Sequence, residues 1–259
     1  MAHYPVLLGE VEQYLEIEPD GTYVDCTLGA AGYSERILER LTTGRLIAID
    51  RDETAIEAAR EKLERFKDKV TFYHGSFGEI EQAAGPDAQL AGIVADLGFS
   101  RTQIEDAGRG FSFQSEGPLD MRFDRRQELT AADIVNHYDE KRIANLLFEL
   151  GGERRSRRVA GAIVRGRPIY DSARLAGIVA KAVPRSPGMR IHPATKTFQA
   201  LRIAVNDELG QLDTLLKVAP PLLKPGGRME VVSFHSLEDG RVKRAFQEWA
   251  RSDEYERIT

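Results

Sequence analysis

Short apolar runs alternate with amphipathic segments through the first hundred residues of the chain. Runs rich in Val, Ile and Leu are typical of buried strands, and they occur at 22–28, 45–50, 70–75 and 91–98. Between them, the segments 34–41 and 53–66 place apolar residues at helical spacing, for example Ile56, Ala59 and Leu63. Strands that alternate with helices predict a parallel sheet covered by helices.

The pattern changes after this point. Residues 101–118 are rich in Gly, Ser and Arg and predict an ordered loop. Helical periodicity then returns, with no strand between the helices, at 130–136, 140–151, 154–166 and 172–183. Thr130 and Ser172 are the predicted N-caps of the first and last of these helices. The segment 184–193 predicts a turn-rich linker.

The remaining sequence returns to the pattern of the first hundred residues. The segment 196–223 predicts one long helix ended by prolines, 225–236 a turn and a buried strand, and 237–252 a covering helix. We therefore expect an α/β fold with a doubly wound, mostly parallel sheet of the Rossmann type and an inserted all-helical domain. The expected core is 1–104 with 206–259, and the expected insert is 105–205.

Length and composition limit the class of protein. The 259 residues are 42% hydrophobic, yet no run of 18 or more apolar residues predicts a membrane span. The amino-terminal sequence lacks the pattern of a signal peptide. The single cysteine, Cys26, excludes an internal disulfide, and no Cys/His cluster predicts a metal site. We therefore expect a cytoplasmic protein without a metal.

Charge is distributed unevenly along the chain. The net charge is −5, but segment 141–205 holds 14 Lys or Arg residues against Glu149, Glu153 and Asp171, a net of +11. A basic module on an acidic protein favours a surface that binds a polyanion such as RNA. The alternative is a helical region whose charges are simply solvated.

A glycine-containing loop and a following acid carry the first chemical signal. Gly29 and Gly32 lie between the first predicted strand and helix, and Asp50 ends the second strand about 20 residues later. Such an acid accepts hydrogen bonds from the ribose hydroxyls of a nucleoside cofactor. The loop lacks the full dinucleotide pattern and the Lys-Ser/Thr of a P-loop, which favours S-adenosylmethionine over a pyrophosphate-containing cofactor.

Other strand ends supply the remaining cofactor candidates. Phe77, after the third strand, is expected beside the adenine, or alternatively in ordinary core packing. Asp96, after the fourth strand, is expected near the methionine end or the methyl acceptor. Asp25 either contacts the ligand or bonds the loop backbone.

Four long motifs in collinear order carry a specific resemblance. HYPVLLGEV near the start, RGFSFQSEGPLDMRF at 109–123, HPATKTFQALRIAVNDEL at 192–209 and VSFHSLED at 232–239 resemble the bacterial small-subunit (16S) ribosomal RNA cytosine-4-amino methyltransferase family. The resemblance runs from His3 to about Phe246. It implies a methyltransferase core with an inserted RNA-recognition domain and S-adenosylmethionine as methyl donor. By position, it also implies cofactor contacts at Ala31, Gly32, Tyr33, Asp50, Phe77, Asp96 and Gln103.

The implied reaction needs an acceptor for an amine. A cytosine amine is a poor nucleophile because its lone pair is delocalised, and a hydrogen-bond acceptor holds it in line with the methyl group. Amino-methyltransferases often place an acid, two prolines and an aromatic residue after the fourth strand; here the sequence is Asp96-Leu97-Gly98-Phe99. Asp96 is the candidate for orienting the amine or the cofactor, and Phe99 is the candidate for stacking on an unstacked base.

Substrate contacts are expected from basic and imidazole side chains in the distinctive motifs and the basic segment. The candidates are Arg109, Arg122, Arg154, Arg155, Arg157, Arg158, His192 and His235. Structural alternatives exist for half of them. Arg109 and Arg122 are each able to pair with Asp106, Asp120 or Asp124. His235 and Glu238 are able to brace the turn after the last strand, and His192 is able to anchor a linker.

The chain departs from the family pattern at several positions. Ala31 and Tyr33 replace a glycine and a histidine, and the Ala31 methyl group would crowd the ligand if that position needs a positive φ. Arg101, Gly152 and Gly240 replace a serine, an acid and an arginine. A basic tail that normally follows, and is expected to complete the sheet edge, is absent after Thr259.

Three functions remain open at this stage. The first is methylation of 16S rRNA within the small ribosomal subunit, with no membrane partner and a possible homodimer. The second is a non-catalytic relative that binds S-adenosylmethionine and rRNA. The third is a nicotinamide-dependent oxidoreductase, which the strand alternation permits but the loop sequence does not support.

Overall fold

The computed structural model describes residues 6–114, 116–184 and 191–258, and the side chain of Arg101 is outside this set. Three features of the sequence analysis therefore lie outside the described residues: the first motif up to residue 5, most of the predicted linker, and the contacts of the Arg101 side chain. The chain consists of two compact units. The sheet unit comprises Met1–Gly98 and Leu209–Thr259, and the helical unit comprises Phe99–Glu208.

The sheet unit contains five parallel strands. They are β1 Thr22–Asp25, β2 Arg45–Asp50, β3 Val70–His74, β4 Leu90–Asp96 and β5 Leu223–Val232. The strand order is β3-β2-β1-β4-β5, so the order reverses at the junction of β1 and β4. This topology confirms the predicted doubly wound α/β fold, and it places the expected ligand crevice at the carboxyl ends of β1 and β4.

Helices cover both faces of this sheet. They are α1 Leu8–Leu15, α2 Gly32–Arg40, α3 Glu53–Lys62, α4 Ile80–Ala84, α11 Glu208–Val218 and α12 Ser236–Trp249. One hydrophobic core joins α1, α2 and α3 to the sheet through residues such as Leu15, Ile37 and Ile56. The other core joins α4, α11 and α12 through residues such as Ile80 and Leu215. Burial of these apolar faces holds the strand ends, and with them the acidic side chains, in fixed positions.

The helical unit has its own hydrophobic core. Its helices are α5 Arg101–Glu105, α6 Ala131–His137, α7 Glu140–Gly151, α8 Ser156–Arg165, α9 Ser172–Ala182 and α10 Thr195–Asn206. Fully buried apolar residues of α6 to α10, including Ile143, Val159 and Leu201, form one contiguous cluster. An independent core of this kind is what a separately packed unit requires.

The structure corrects two local expectations and confirms a third. The predicted long helix at 196–223 is two helices, because Asp207 ends α10 with φ 48 and α11 begins one residue later. Asp tolerates this left-handed conformation better than most residues. The N-cap of α9 is Asp171 rather than Ser172, since the Asp171 side chain accepts the Arg174 N–H. Thr130 is confirmed as the N-cap of α6.

Candidate functional site

The loop between β1 and α2 is organised around a buried carboxylate. Asp25 is fully buried, and it accepts the Ser34 hydroxyl at 2.6 Å and the Thr27 backbone N–H at 3.1 Å. Burial raises the pKa of Asp25, and the two bonds oppose this shift. Both carboxylate oxygens are therefore bonded within the loop. The structure favours the alternative in which Asp25 braces the loop.

The loop reaches the end of β2 through its glycine. Gly29 has φ 47 and donates its N–H to Oδ2 of Asp50 at 2.8 Å. Ala31 follows with φ 59 and precedes α2. A non-glycine residue in this region costs about 1–2 kcal/mol. The Ala31 side chain is fully buried in the core that contains Leu28 and Ile37. The position does take a positive φ, but its methyl group packs in the core.

Asp50 keeps acceptor capacity at the end of β2. Its Oδ1 accepts the Asp52 N–H and its Oδ2 accepts the Gly29 N–H, each at 2.8 Å. Burial raises the pKa of Asp50 to about 6, although these N–H groups stabilise the ionised form. A carboxylate has about four acceptor positions, so roughly one on each oxygen remains for a diol. This geometry fits the two hydroxyls of a ribose.

Asp96 presents an unsatisfied acceptor at the junction of β4 and β1. Its backbone N–H donates to the Thr27 hydroxyl at 2.7 Å, which ties the end of β4 to the β1 loop. Its Oδ1 is buried and has no hydrogen-bond partner in the described part of the chain. Burial, reinforced by Asp25 and Glu238, raises the pKa of Asp96 to about 7. A buried acceptor of this kind is complementary to a donor on a ligand.

The other sheet-unit candidates have structural contacts. Tyr33 is 4% exposed and donates its hydroxyl to the carbonyl of Val6, while burial and the charge of Asp96 raise its pKa. Gly32 is the first residue of α2. Phe77 follows β3 and packs, partly buried, against the core that contains Ile49. These placements agree with the core-packing alternative for Phe77 and make Tyr33 a link to the amino-terminal segment.

Gln103 and Phe99 belong to the helical unit. The Gln103 side-chain oxygen accepts the Ser100 N–H at 2.9 Å in a capping box at the start of α5. The guanidinium of Arg202 lies 4.5 Å from the centroid of the Phe99 ring, and the Phe111 ring stacks at 6.2 Å. Arg202 is itself held by two bonds to Glu208, at 2.7 and 2.8 Å. The Phe99 ring is thus engaged within its own unit.

Two of the predicted phosphate-binding arginines have bracing roles. Arg109 is 4% exposed and donates to the carbonyls of Arg122 and Phe123 at 3.1 and 2.9 Å. Arg122 forms a two-bond pair with Asp120, at 2.7 and 2.9 Å, and also donates to the Gln127 carbonyl. The pairing alternative therefore holds for Arg122. Arg109 is too buried to present its charge to a phosphate.

Both candidate histidines also make local contacts. The His192 ring stacks on Phe113 with centroids 4.6 Å apart, and its Nδ1 accepts the Ala194 N–H at 3.2 Å. His235 caps α12, and its Nε2 lies 3.1 Å from Oε1 of Glu238. The contacts of each histidine agree with its bracing alternative.

The four arginines at the start of α8 present the opposite picture. Arg154, Arg155, Arg157 and Arg158 are all exposed. The first turn of α8 contains no acidic residue, and no side chain caps it. Positive side chains and the positive end of a helix dipole therefore lie together on one surface. This surface, which we call the arginine surface, is suited to phosphate groups.

Sequence reasoning missed two polar residues of the sheet unit. Thr27 connects Asp25 to Asp96 through two hydrogen bonds, one by its backbone N–H and one by its hydroxyl. Its position two residues after an acid in a loop is typical of such a side-chain-to-backbone bond and could have identified it. Glu230 lies in β5, and its Oε1 is buried without a hydrogen-bond partner among the described residues. Burial raises the pKa of Glu230 to about 8. An acid within an apolar strand was a signal that the sequence analysis did not use.

Membrane-spanning helices and metal-ligand clusters are both absent from the described residues. No helix within 6–114, 116–184 or 191–258 is long and apolar enough to cross a membrane. Within the same ranges, no three His, Cys, Asp or Glu side chains are grouped as metal ligands.

Comparison with known proteins gives one consistent family. The model of the MraW methylase family matches residues 1–257. Ribosomal RNA small subunit methyltransferase H of Solibacter usitatus is 50% identical over 252 residues, covering 96% of this chain and 87% of the relative. The proteins of the same name from Acidobacterium capsulatum and Koribacter versatilis are 50% and 48% identical, covering 99% and 100% of this chain and 89% and 85% of the relatives. The chain belongs to the MraW methylase family.

Proposed function

We propose that this protein transfers a methyl group from S-adenosylmethionine to the 4-amino group of a cytidine in the decoding region of 16S rRNA. Family membership and relatives named ribosomal RNA small subunit methyltransferase H support rRNA methylation. The observation that carries the chemical assignment is the buried, unsatisfied Oδ1 of Asp96 at the point where strand order reverses.

The residues of the sheet unit fit the cofactor. Asp50 has the acceptor positions for the ribose hydroxyls, and the Gly29 turn brings loop backbone next to that carboxylate. Ala31, Gly32, Tyr33 and Phe77 line or support this loop and strand edge in our assignment. When bound, S-adenosylmethionine supplies an electrophilic methyl group on a sulfonium. The protein holds and orients that group.

Asp96 orients the amine in this mechanism. Its Oδ1 would accept an N–H of the target amine and so orient that nitrogen, and the same carboxylate would take up the proton that the nitrogen loses when the methyl group leaves the sulfonium. A pKa of about 7 leaves much of Asp96 ionised, and so able to accept, near neutral pH. Thr27 is the positioning residue, because its hydroxyl binds the Asp96 backbone N–H. Phe99 and Gln103 stay candidates for base stacking and cofactor contact.

The helical unit supplies the RNA contacts. The insert 105–205 contains the arginine surface, whose four exposed side chains carry the charge that complements a phosphate backbone. We assign this segment as the RNA-recognition domain and the small ribosomal subunit in the bacterial cytoplasm as the setting. A homodimer, the remaining expectation about partners, is tested by sedimentation of the full chain.

The structure bears on three of the departures from the family pattern. Gly152 ends α7 with φ 59, a conformation that glycine adopts at no steric cost. A Cβ at Gly240 would make only an ordinary contact, 3.9 Å from Arg244, so the position has room for a side chain. The Ala31 methyl group is in the core. These positions therefore give no support to the non-catalytic alternative.

The deciding experiment is transfer of labelled methyl from S-adenosylmethionine to small ribosomal subunits that lack the modification. We expect label in one cytidine of 16S rRNA, and a loss of at least about 100-fold in rate for Asp96→Asn. An exposed acid far along the chain, Asp253→Asn, is the matched control. Bound cofactor without transfer by the wild type would refute the proposed activity.

A second experiment tests the arginine surface. Replacing Arg154, Arg155, Arg157 and Arg158 by Gln should weaken RNA binding and reduce the slope of log affinity against log salt by about 3–4. The affinity for S-adenosylmethionine should not change. An unchanged RNA affinity and salt slope would remove this surface from the mechanism.

A further inference from the structure

An aromatic side chain lies outside the core at the carboxyl edge of the sheet. Phe234 follows β5 by two residues, and the register of the sheet places Val232 of β5 opposite Asp96 of β4. The Phe234 side chain is 55% exposed. In the described part of the sheet unit, it is the one aromatic residue among the exposed large apolar side chains. Neither the cofactor assignment nor the arginine surface uses it.

The position of Phe234 is fixed by its neighbours. Its backbone N–H donates to Oε2 of Glu238 at 3.1 Å, and Glu238 is only 2% exposed. On the other side, a Cβ built on Gly98 would lie 3.6 Å from Cδ2 of Phe234. Cδ2 of Phe234 therefore lies beside the space that a side chain at Gly98 would fill, and Gly98 is two residues beyond Asp96. An exposed aromatic side chain whose backbone is held in this way is a preformed surface.

The chemistry at this edge is complementary to a nucleobase with an exocyclic amine. Asp96 offers an acceptor for the amine, and Phe234 offers a flat apolar face beside Gly98, two residues after Asp96. Nucleobases removed from their stack are commonly held between aromatic side chains and hydrogen bonds to their polar edge. We propose that Phe234 stacks on the target cytosine and holds its amine at Asp96.

This assignment rests on the proposed function and differs from the sequence expectation for Phe99. The Phe99 ring is engaged by the Arg202 guanidinium and stacks with Phe111. Phe234 has contacts that hold it in place and still exposes more than half of its side chain. Phe234 is thus a substrate-binding residue. Its removal should weaken the interaction with RNA and leave the affinity for S-adenosylmethionine unchanged.

The test is steady-state methyl transfer to unmodified small subunits by Phe234→Ala, Phe234→Trp and a matched control. Ile258 is the control, because it is also an exposed large apolar residue of the sheet unit, at 54%, and it lies outside the proposed RNA-recognition domain. We expect Phe234→Ala to raise the KM for the subunit, or lower kcat/KM, by about 10- to 100-fold, the range for loss of one base–aromatic stack. Phe234→Trp should restore most of the activity. The Kd for S-adenosylmethionine and the Tm of Phe234→Ala should match those of Ile258→Ala.

The outcomes separate this inference from the proposed function. Wild-type transfer together with equal kcat/KM for Phe234→Ala and Ile258→Ala would overturn the stacking role alone. A parallel loss of cofactor affinity or Tm in Phe234→Ala, without rescue by Trp, would assign the residue to structure and overturn it equally. No transfer by the wild type would overturn both the proposed function and the inference.

Discussion

Replacing Asp50 with Asn tests the cofactor assignment directly. The variant keeps the size of the side chain but removes the charge that would accept the ribose hydroxyls. Hydrogen bonds to a charged group contribute about 1.5–3 kcal/mol, which corresponds to about a 10- to 150-fold rise in the Kd for S-adenosylmethionine. Calorimetric titration at pH 7.5 measures this change. Asp68→Asn, an exposed acid before β3, is the control and should bind normally.

The raised pKa of Asp50 adds a second measure. Because the pKa is about 6 in the unliganded protein, roughly nine-tenths of this carboxyl is protonated at pH 5. If the ionised form binds ribose, the wild-type affinity should fall about tenfold for each pH unit below 6. The Asn variant lacks this dependence. An equal Kd for wild type and Asp50→Asn, or identical pH profiles for the two proteins between pH 5 and 8, would refute the ribose assignment.

Three further predictions concern stability. Gly240→Ala, at a half-buried position inside α12 where an added Cβ would lie 3.9 Å from Arg244, should raise the free energy of unfolding by about 1 kcal/mol and the Tm by about 2–4 °C, measured by thermal denaturation. Glu208→Gln should lower the free energy of unfolding by about 3–5 kcal/mol in urea denaturation, because the substitution leaves Arg202 buried without its ion-pair partner. A change below about 1 kcal/mol would contradict this prediction. Glu230 has a folded pKa of about 8, above its ordinary value, so the folded state holds a proton that the unfolded state has released. The stability of the wild type should therefore fall between about pH 4.5 and 8, with Asp50 and Asp96 contributing to the same slope. Glu230→Gln should make that slope shallower and be more stable by on the order of 2–4 kcal/mol at pH 8.5. Parallel curves of unfolding free energy against pH for the wild type and Glu230→Gln would show that folding does not impede the ionisation of Glu230.

Local patterns predicted the parts of the fold that local physics determines. The apolar run of β2 and the amphipathic period of α7 predicted both elements with the bounds that the structure shows. The loop glycine and Asp50 were recognised because a parallel sheet brings strand ends to one edge, and the structure joins them by a hydrogen bond. The four arginines of the arginine surface were expected to be exposed because charged residues are seldom buried, and the structure shows all four exposed.

Other features depend on contacts between residues distant in sequence. Arg109 appeared as a phosphate ligand, but its guanidinium binds carbonyls of 122 and 123, which only the folded chain brings to it. The helix break at Asp207 was missed because apolar periodicity continues across it. Phe234 looked like part of a strand, and its exposure depends on how the turn after β5 packs on Gly98. Tertiary packing determined each of these outcomes.

The carboxyl edge of the sheet combines groups that are unfavourable in the unliganded protein. Burial raises the pKa values of both Asp50 and Asp96, and the charge of Asp25 contributes to each shift. Ionising these groups near neutral pH therefore costs folding free energy. S-adenosylmethionine carries positive charge on its sulfonium and its amino group, so its binding would favour the ionised carboxylates and offset part of this cost. A site that recognises a cationic cofactor and an amine thus explains why burial of several acids at one edge is tolerated.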